Sequence, residues 1–193
     1  MSGEGNAESE SQRWPLIAIC DLDGTLIDSD SALSEAFVAL GIDRDEITFG
    51  HVLAEECDRL GIDIEDYLNA YDPTRAMPFP GVGGLVGSFD RWAVCSNKHP
   101  RSGHAELARL GWSPEVSFFA DAFSGPKVLA PVLDALGVAV SEVIFLGDTA
   151  HDRHCAHSVG ATFALAGWNP RAEAQPGDLV LSHPGELREF LER

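Results

Sequence analysis

The sequence predicts an α/β fold: a doubly wound, mostly parallel sheet with a small all-helical segment inserted after its first strand. Three observations carry this expectation. Short apolar runs alternate with helical stretches of about ten residues, the pattern of βαβ units. The first run, Leu16-Ile17-Ala18-Ile19-Cys20, shows no apolar/polar alternation, as a strand covered on both faces requires. From 28 to 77, by contrast, no strand signal occurs, and Pro78-Phe79-Pro80-Gly81 marks the return to the alternating pattern.

In chain order, residues 1–13 (MSGEGNAESESQR) are polar and Gly/Ser/Glu-rich, and read as a disordered tail. After the first strand, Asp28-Ser29-Asp30-Ser31 offers N-cap chemistry for a helix over 32–40 that Gly41 stops. A second helix is expected over 43–60, with Ile47, Val52, Leu53, Cys57 and Leu60 on or near one face, and a short third over 63–71. A weak glycine-rich helix comes next at 81–88, then a strand over 91–95 ending in Ser96-Asn97-Lys98. Residues 101–110 read as a helix stopped by Gly111, and 118–120 as a short strand. Pro126 at the first helical position, with Lys127 to Leu136 and then Gly137, predicts the next helix. The remaining expectations are strands over 143–146, 162–166 and 179–182 and helices over 151–159 and 184–191. The division is therefore a core of 14–27 and 78–193 around a helical insertion of 28–77.

Composition narrows the function. The net charge of −18, from 13 basic against 31 acidic residues, argues against nucleic acid or an anionic membrane as partner, since both need a basic surface. The insertion alone carries 13 acidic residues against Arg44, Arg59 and Arg75. The four cysteines, 20, 57, 95 and 155, show no CxxC spacing and read as reduced thiols of a cytoplasmic protein. No signal-peptide pattern opens the chain and no stretch approaches a membrane-spanning length. Lysines are rare, Lys98 and Lys127 only, so their placement carries information.

In a parallel sheet the carboxyl ends of all strands share one edge, where ligands bind. Asp21 and Asp23 come after the first strand, Ser96-Asn97 after another and Asp148 and Asp152 after a third, with Lys127 expected at the opening of a helix on the same edge. Carboxylates gathered there repel unless a cation joins them, and an all-oxygen set favours Mg²⁺. A serine hydroxyl, a lysine and backbone amides in the turn after Asp21 are what a phosphate needs. An aspartate can attack phosphorus to give an aspartyl-phosphate. A second one, brought back by the turn, can protonate the leaving oxygen and then deprotonate water.

The set Asp21-Leu22-Asp23-Gly24-Thr25, Ser96-Asn97, Lys127 and Gly147-Asp148-Thr149-Ala150-His151-Asp152, in this order and spanning the chain from 14 onward, resembles the four motifs of the haloacid dehalogenase-like hydrolase superfamily. The helical insertion resembles the C1-type cap of its phosphoglycolate-phosphatase-like branch, although roughly 50 residues is short for that cap. The resemblance implies Asp21 as nucleophile and Asp23 as general acid/base. It implies Ser96, Asn97, Lys127 and the backbone at Leu22 as phosphate-binding groups. It further implies Asp21, Asp23 (through its backbone carbonyl), Asp148 and Asp152 as the Mg²⁺ site. Dehalogenating members lack the second aspartate, so the expected activity is hydrolysis of a small phosphorylated metabolite. The acidic insertion would disfavour a second phosphate on the substrate. A phosphomutase of the β-phosphoglucomutase type, and a non-catalytic phospho-ligand-binding protein, share the pattern.

Other residues have plainer readings. His151, His154, Cys155 and His157 lack a zinc spacing and suit a solvated helix. Lys98 fits a substrate contact or a solvated turn equally well. Trp14, Trp92, Trp112 and Trp168 read as packing, Arg44 and Arg75 as surface charge, and Thr25 and Gly24 as stabilisers of the turn.

Overall fold

The computed structural model describes residues 16–48 and 52–191; the expected tail over 1–13, and Trp14, lie outside them. The elements are, in order, β1 (Ile17–Cys20), β2 (Ile27–Asp28), α1 (Asp30–Ala39), α2 (Leu53–Leu60), α3 (Ile64–Ala70), β3 (Met77–Pro78), α4 (Val82–Val86), β4 (Trp92–Cys95), α5 (Pro100–Leu110) and β5 (Val116–Phe118). The second half adds α6 (Ala130–Leu136), β6 (Val143–Gly147), α7 (Ala150–Val159), β7 (Thr162–Ala166), β8 (Leu179–Leu181) and α8 (Pro184–Leu191).

The expected doubly wound sheet forms. Six strands run in the order β5-β4-β1-β6-β7-β8, every pairing parallel. Strand β1 lies at its centre, with Ala18 opposite Trp92 on one side and Ile144 on the other. The chain first builds outward through β4 and β5, then starts again from β1 through β6 to β8. That reversal opens a crevice at the carboxyl ends of β4, β1 and β6.

The unalternating sequence of β1 is explained by two cores. Successive side chains of a strand point to opposite faces. Ala18 and Cys20 join Val94, Ile144 and Leu146 on one face, while Ile17 and Ile19 join Ala93, Cys95 and Phe145 on the other. The first core continues into the inserted helices and α8; the second is closed by α6 and α7. Phe145, with no exposed surface, contributes about 2–3 kcal/mol by its burial.

Several local expectations are corrected. Ser29 sits at the N-cap position of α1, yet its hydroxyl is buried and makes no cap bond. Among the described residues of 43–60, a 3-10 turn forms at Arg44–Glu46 and α2 begins only at Leu53, so Ile47 lies outside that helix. Residues 28–77 are not strand-free at their ends: β2 and β3 pair antiparallel, Ile27 opposite Pro78, and clamp the root of the insertion. Strands of two residues leave no periodicity to read. The strand expected over 118–120 is Val116–Phe118. Lys127 does not open a helix: α6 starts at Ala130, with Pro131 in its first turn. Residues 126–129 are instead an irregular segment at the sheet edge, which places Lys127 in the crevice. All four cysteines are free and buried. Among the described residues no helix is long and apolar enough to cross a membrane.

Candidate active site

Asp21 is fixed where β1 leaves the sheet, because its backbone N–H donates to the carbonyl of Leu146 at 2.9 Å. The chain then folds back: the Leu22 carbonyl accepts from Leu26 and Ile27, each at 3.0 Å, and Gly24 takes a left-handed φ of +75°. Glycine is required here, since a Cβ at 24 would run into the Asp148 carboxylate and the Asn169 amide. Leu22, expected to offer its backbone to the phosphate, is wholly buried and is not among the residues that line the crevice.

Lys127, from the opposite wall, is buried and bridges two carboxylates, with Nζ 2.7 Å from Asp21 Oδ1 and 2.5 Å from Asp152 Oδ1. Its backbone N–H donates to Asn97 Oδ1 at 2.8 Å, so Asn97 positions the lysine segment. Burial acts to lower the pKa of Lys127, but Asp152 and Asp21 outweigh it and hold the ammonium charged. Asp152 Oδ2 accepts from Asp148 N at 3.1 Å and from the Thr149 amide and hydroxyl at 2.9 and 2.6 Å, closing a capping box at the start of α7. Although burial opposes it, Lys127 and these bonds keep the Asp152 carboxyl below its usual range.

Asp148 receives the Thr25 hydroxyl on Oδ1 at 2.9 Å and the Asn169 amide on Oδ2 at 2.8 Å. Asn169 also donates to the Gly24 carbonyl at 2.9 Å, and the Trp168 indole donates to the Thr25 carbonyl at 2.9 Å. The loop after β7 thus ties the first and last motifs together. Sequence reasoning missed Asn169; its signal is its place just beyond an apolar strand, on the same carboxyl edge as the motif residues. Thr25 has more than the turn role expected of it, since it also orients Asp148.

Carboxylate oxygens of Asp21, Asp148 and Asp152 all lie within 4.8 Å of one another. One lysine does not balance three ionised acids. Burial first, and then the neighbouring carboxylates, push the Asp148 carboxyl up to about 8. Burial likewise raises Asp21 to about 6 against the pull of Lys127. A buried, all-oxygen cluster with surplus negative charge fits a hard divalent cation such as Mg²⁺. Among the described residues no histidine or cysteine joins such a group.

Asp23 is separate from this cluster. Its Oδ1 lies 2.7 Å from Lys98 Nζ, and that ammonium also lies 3.0 Å from Glu106 Oε1. Tyr71, from the insertion side, donates its hydroxyl to Glu106 Oε1 and accepts from Lys98 at 3.2 Å. Lys98 is therefore no solvated turn residue: its side chain is 3% exposed. Glu106 is wholly buried, and burial pushes its carboxyl up to about 7 despite Lys98. Sequence reasoning also missed Glu106 and Tyr71, because a lone acid in an amphipathic helix looks like surface charge. Ser96 is buried at the end of β4, its N–H donating to the Phe118 carbonyl at 3.0 Å. The structure thus brings Asp21, Asp23, Ser96, Asn97, Lys127 and Asp148 to one cavity of about 330 Å³. Arg44 and Arg75 remain at the surface, paired with Glu35.

No family model matches the sequence. The chain is 23% identical to a phosphoglycolate phosphatase of Xanthomonas campestris pv. campestris, over 92% of this chain and 96% of the relative. It is 24% identical to an N-acetylmuramic acid 6-phosphate phosphatase of Pseudomonas aeruginosa, covering 90% and 93%. In fold it is similar to a haloacid dehalogenase-like family hydrolase from Streptococcus pneumoniae, with a TM-score of 0.71 and 19% identity over 91% of this chain and 98% of that one. It is also similar to the L-2-haloacid dehalogenase of Xanthobacter autotrophicus, with a TM-score of 0.68 and 20% identity over 91% and 98%. With its motif residues gathered on one sheet edge, the chain is similar in sequence to phosphatases along nearly their whole length and shares the fold of haloacid dehalogenase-like hydrolases.

Proposed function

We propose that the protein is a Mg²⁺-dependent phosphomonoester hydrolase that works through an aspartyl-phosphate on Asp21. The observation that carries the reading is Lys127 bridging Asp21 and Asp152 beside Asp148, while Asp23 stands apart on its own lysine. Two carboxylates two residues apart are thereby given different surroundings, which is how one site obtains a nucleophile and an acid/base. The relatives named as phosphatases support the reaction class.

Asp21 and Asp148, with the Asp23 carbonyl, would hold the Mg²⁺, and Asp152 would steer Lys127 and stiffen the loop after β6. When bound, the ion supplies positive charge against which phosphate and carboxylates can approach each other. Lys127 and Ser96 receive the phosphoryl oxygens. An Asp21 oxygen then attacks phosphorus, the ester P–O bond breaks, and the leaving oxygen takes a proton from Asp23. In the second half Asp23 removes a proton from water, whose oxygen attacks the phosphorus of the aspartyl-phosphate. Inorganic phosphate leaves and Asp21 is restored. The insertion acts as a cap that covers the ester's organic part, in keeping with the division into 14–27 plus 78–193 and 28–77.

The test is phosphate release from a panel of phosphate esters with Mg²⁺ and with chelator. Magnesium-dependent release of inorganic phosphate is expected. Transfer of phosphate to product without release would instead mark a mutase, and inertness across the panel a binding protein.

A further inference from the structure

We propose that the substrate is a phosphomonoester of an apolar, uncharged alcohol, seated against a hydrophobic wall that the inserted helices build over the phosphate site. The inference rests on the phosphatase reading above and goes beyond it to the substrate's chemistry. The cavity of about 330 Å³ falls near the lower end of the roughly 300–1,000 Å³ of small-molecule sites, more than a phosphoryl group needs. Its floor is the polar cluster. Its far wall is Leu33 and Phe37 of α1, Ile47, Leu53 of α2 and Tyr67 of α3. Phe37 and Tyr67 are locked together, ring centroids 4.4 Å apart, whereas Leu33 and Leu53 are only half-buried and leave apolar surface open to the cavity.

An insertion with 13 acidic residues thus turns an apolar face inward. Of its carboxylates, Asp30 and Glu56 line the cavity, and both are engaged: Asp30 by Arg171, and Glu56 by Arg59 and Thr48.

The lining cations have partners as well. Among the described residues they are Lys98, held by Asp23 and Glu106; Lys127, held by Asp21 and Asp152; Arg153, 2.7 Å from Asp178; and Arg171, paired with Asp30. Six carboxylates line the cavity against these four cations. Partial burial lowers the pKa of His99, and its Nδ1 accepts from the Arg101 amide at 3.2 Å. A substrate carboxylate or second phosphate on the organic side would be desolvated with no unspent positive charge to meet it, which is costly. An alkyl or aryl group loses only its contact with water there.

The experiment measures kcat/KM with Mg²⁺ for benzyl phosphate, hexyl phosphate, glycerol phosphate and phosphoglycolate. Benzyl and hexyl phosphate are expected to exceed phosphoglycolate by at least about tenfold, the scale on which an apolar pocket discriminates. The variants Leu33→Lys and Leu53→Lys, each placing a cation on the wall at a half-buried position, are expected to reduce that ratio by about tenfold or more. A phosphoglycolate value equal to or above those of the apolar esters overturns the substrate class while leaving the phosphatase reading intact. An unchanged ratio in both folded variants overturns the assignment of the wall. Release from none of the four esters overturns the phosphatase reading itself.

Discussion

Lys98 Nζ lies 2.7 Å from Asp23 Oδ1 and is shared with Glu106, so the proposed acid/base is held by a buried lysine that is itself held by a buried glutamate. Tyr71, at the end of α3, completes the group and carries the linkage across to the insertion. Asp23 therefore has a fixed direction before any substrate arrives.

Replacing that lysine separates orientation from stability. Lys98→Met is expected to lower kcat by about 10–100-fold, the usual effect of removing a group that orients a functional one. It also strands Glu106 and should cost about 3–5 kcal/mol in denaturant unfolding. The double variant Lys98→Met with Glu106→Gln should recover most of the stability and none of the rate. Recovery of both would show that Lys98 does no more than neutralise Glu106.

Asp21→Asn removes the proposed nucleophile with little change of shape. Turnover should fall by on the order of 10⁴–10⁶-fold, as when other covalent nucleophiles are deleted. The melting temperature should hold or rise, because burial already disfavours the ionised Asp21 and Lys127 keeps Asp152. Substantial Mg²⁺-dependent activity in the folded variant would falsify the assignment.

Binding of Mg²⁺ to the folded state alone should stabilise the protein. At a concentration 100 times Kd the gain is about 2.7 kcal/mol, or about 5–10 °C in Tm for a chain of this size. Calorimetry with and without chelator checks this, and Asp148→Asn should remove the increment. An increment of full size in that variant would place the ion elsewhere.

The insertion should be acid-sensitive through Glu56. Its carboxyl is pushed down to about 2, chiefly by the Arg59 guanidinium and also by Thr48, against the effect of burial. Being lower in the folded state, it stabilises above the unfolded value of about 4.5, and that contribution is lost as pH falls toward about 2. Since half of Arg59 faces solvent, the contribution at neutral pH is on the order of 1 kcal/mol. Glu56→Gln should lower the unfolding midpoint at pH 7 and flatten its decline between pH 5 and 3 relative to the parent; parallel pH curves would contradict this.

The sheet and its motif residues were legible in sequence because their signals are local. Leu16–Cys20 is apolar without alternation, Asp21 and Asp23 end in a glycine turn, and Ser96 and Asp148 close equally apolar runs. Strand ends in a parallel sheet must meet at one edge, so convergence came from topology alone. What the sequence concealed depends on contacts between distant segments. Lys127 reads as the opening of a helix after Pro126, yet hydrogen bonding to Asn97 and charge pairing with Asp21 and Asp152 hold it at the sheet edge, ahead of the helix. Glu106 and Tyr71 carry no local mark of their role, and Asn169 only its place just beyond β7. A buried polar residue is recognised only by the partner that satisfies it, and Asn169 lies 21 residues from Asp148 and Tyr71 35 from Glu106. The apolar wall over the site is likewise hidden among acids, because only packing decides which side of an inserted helix faces inward.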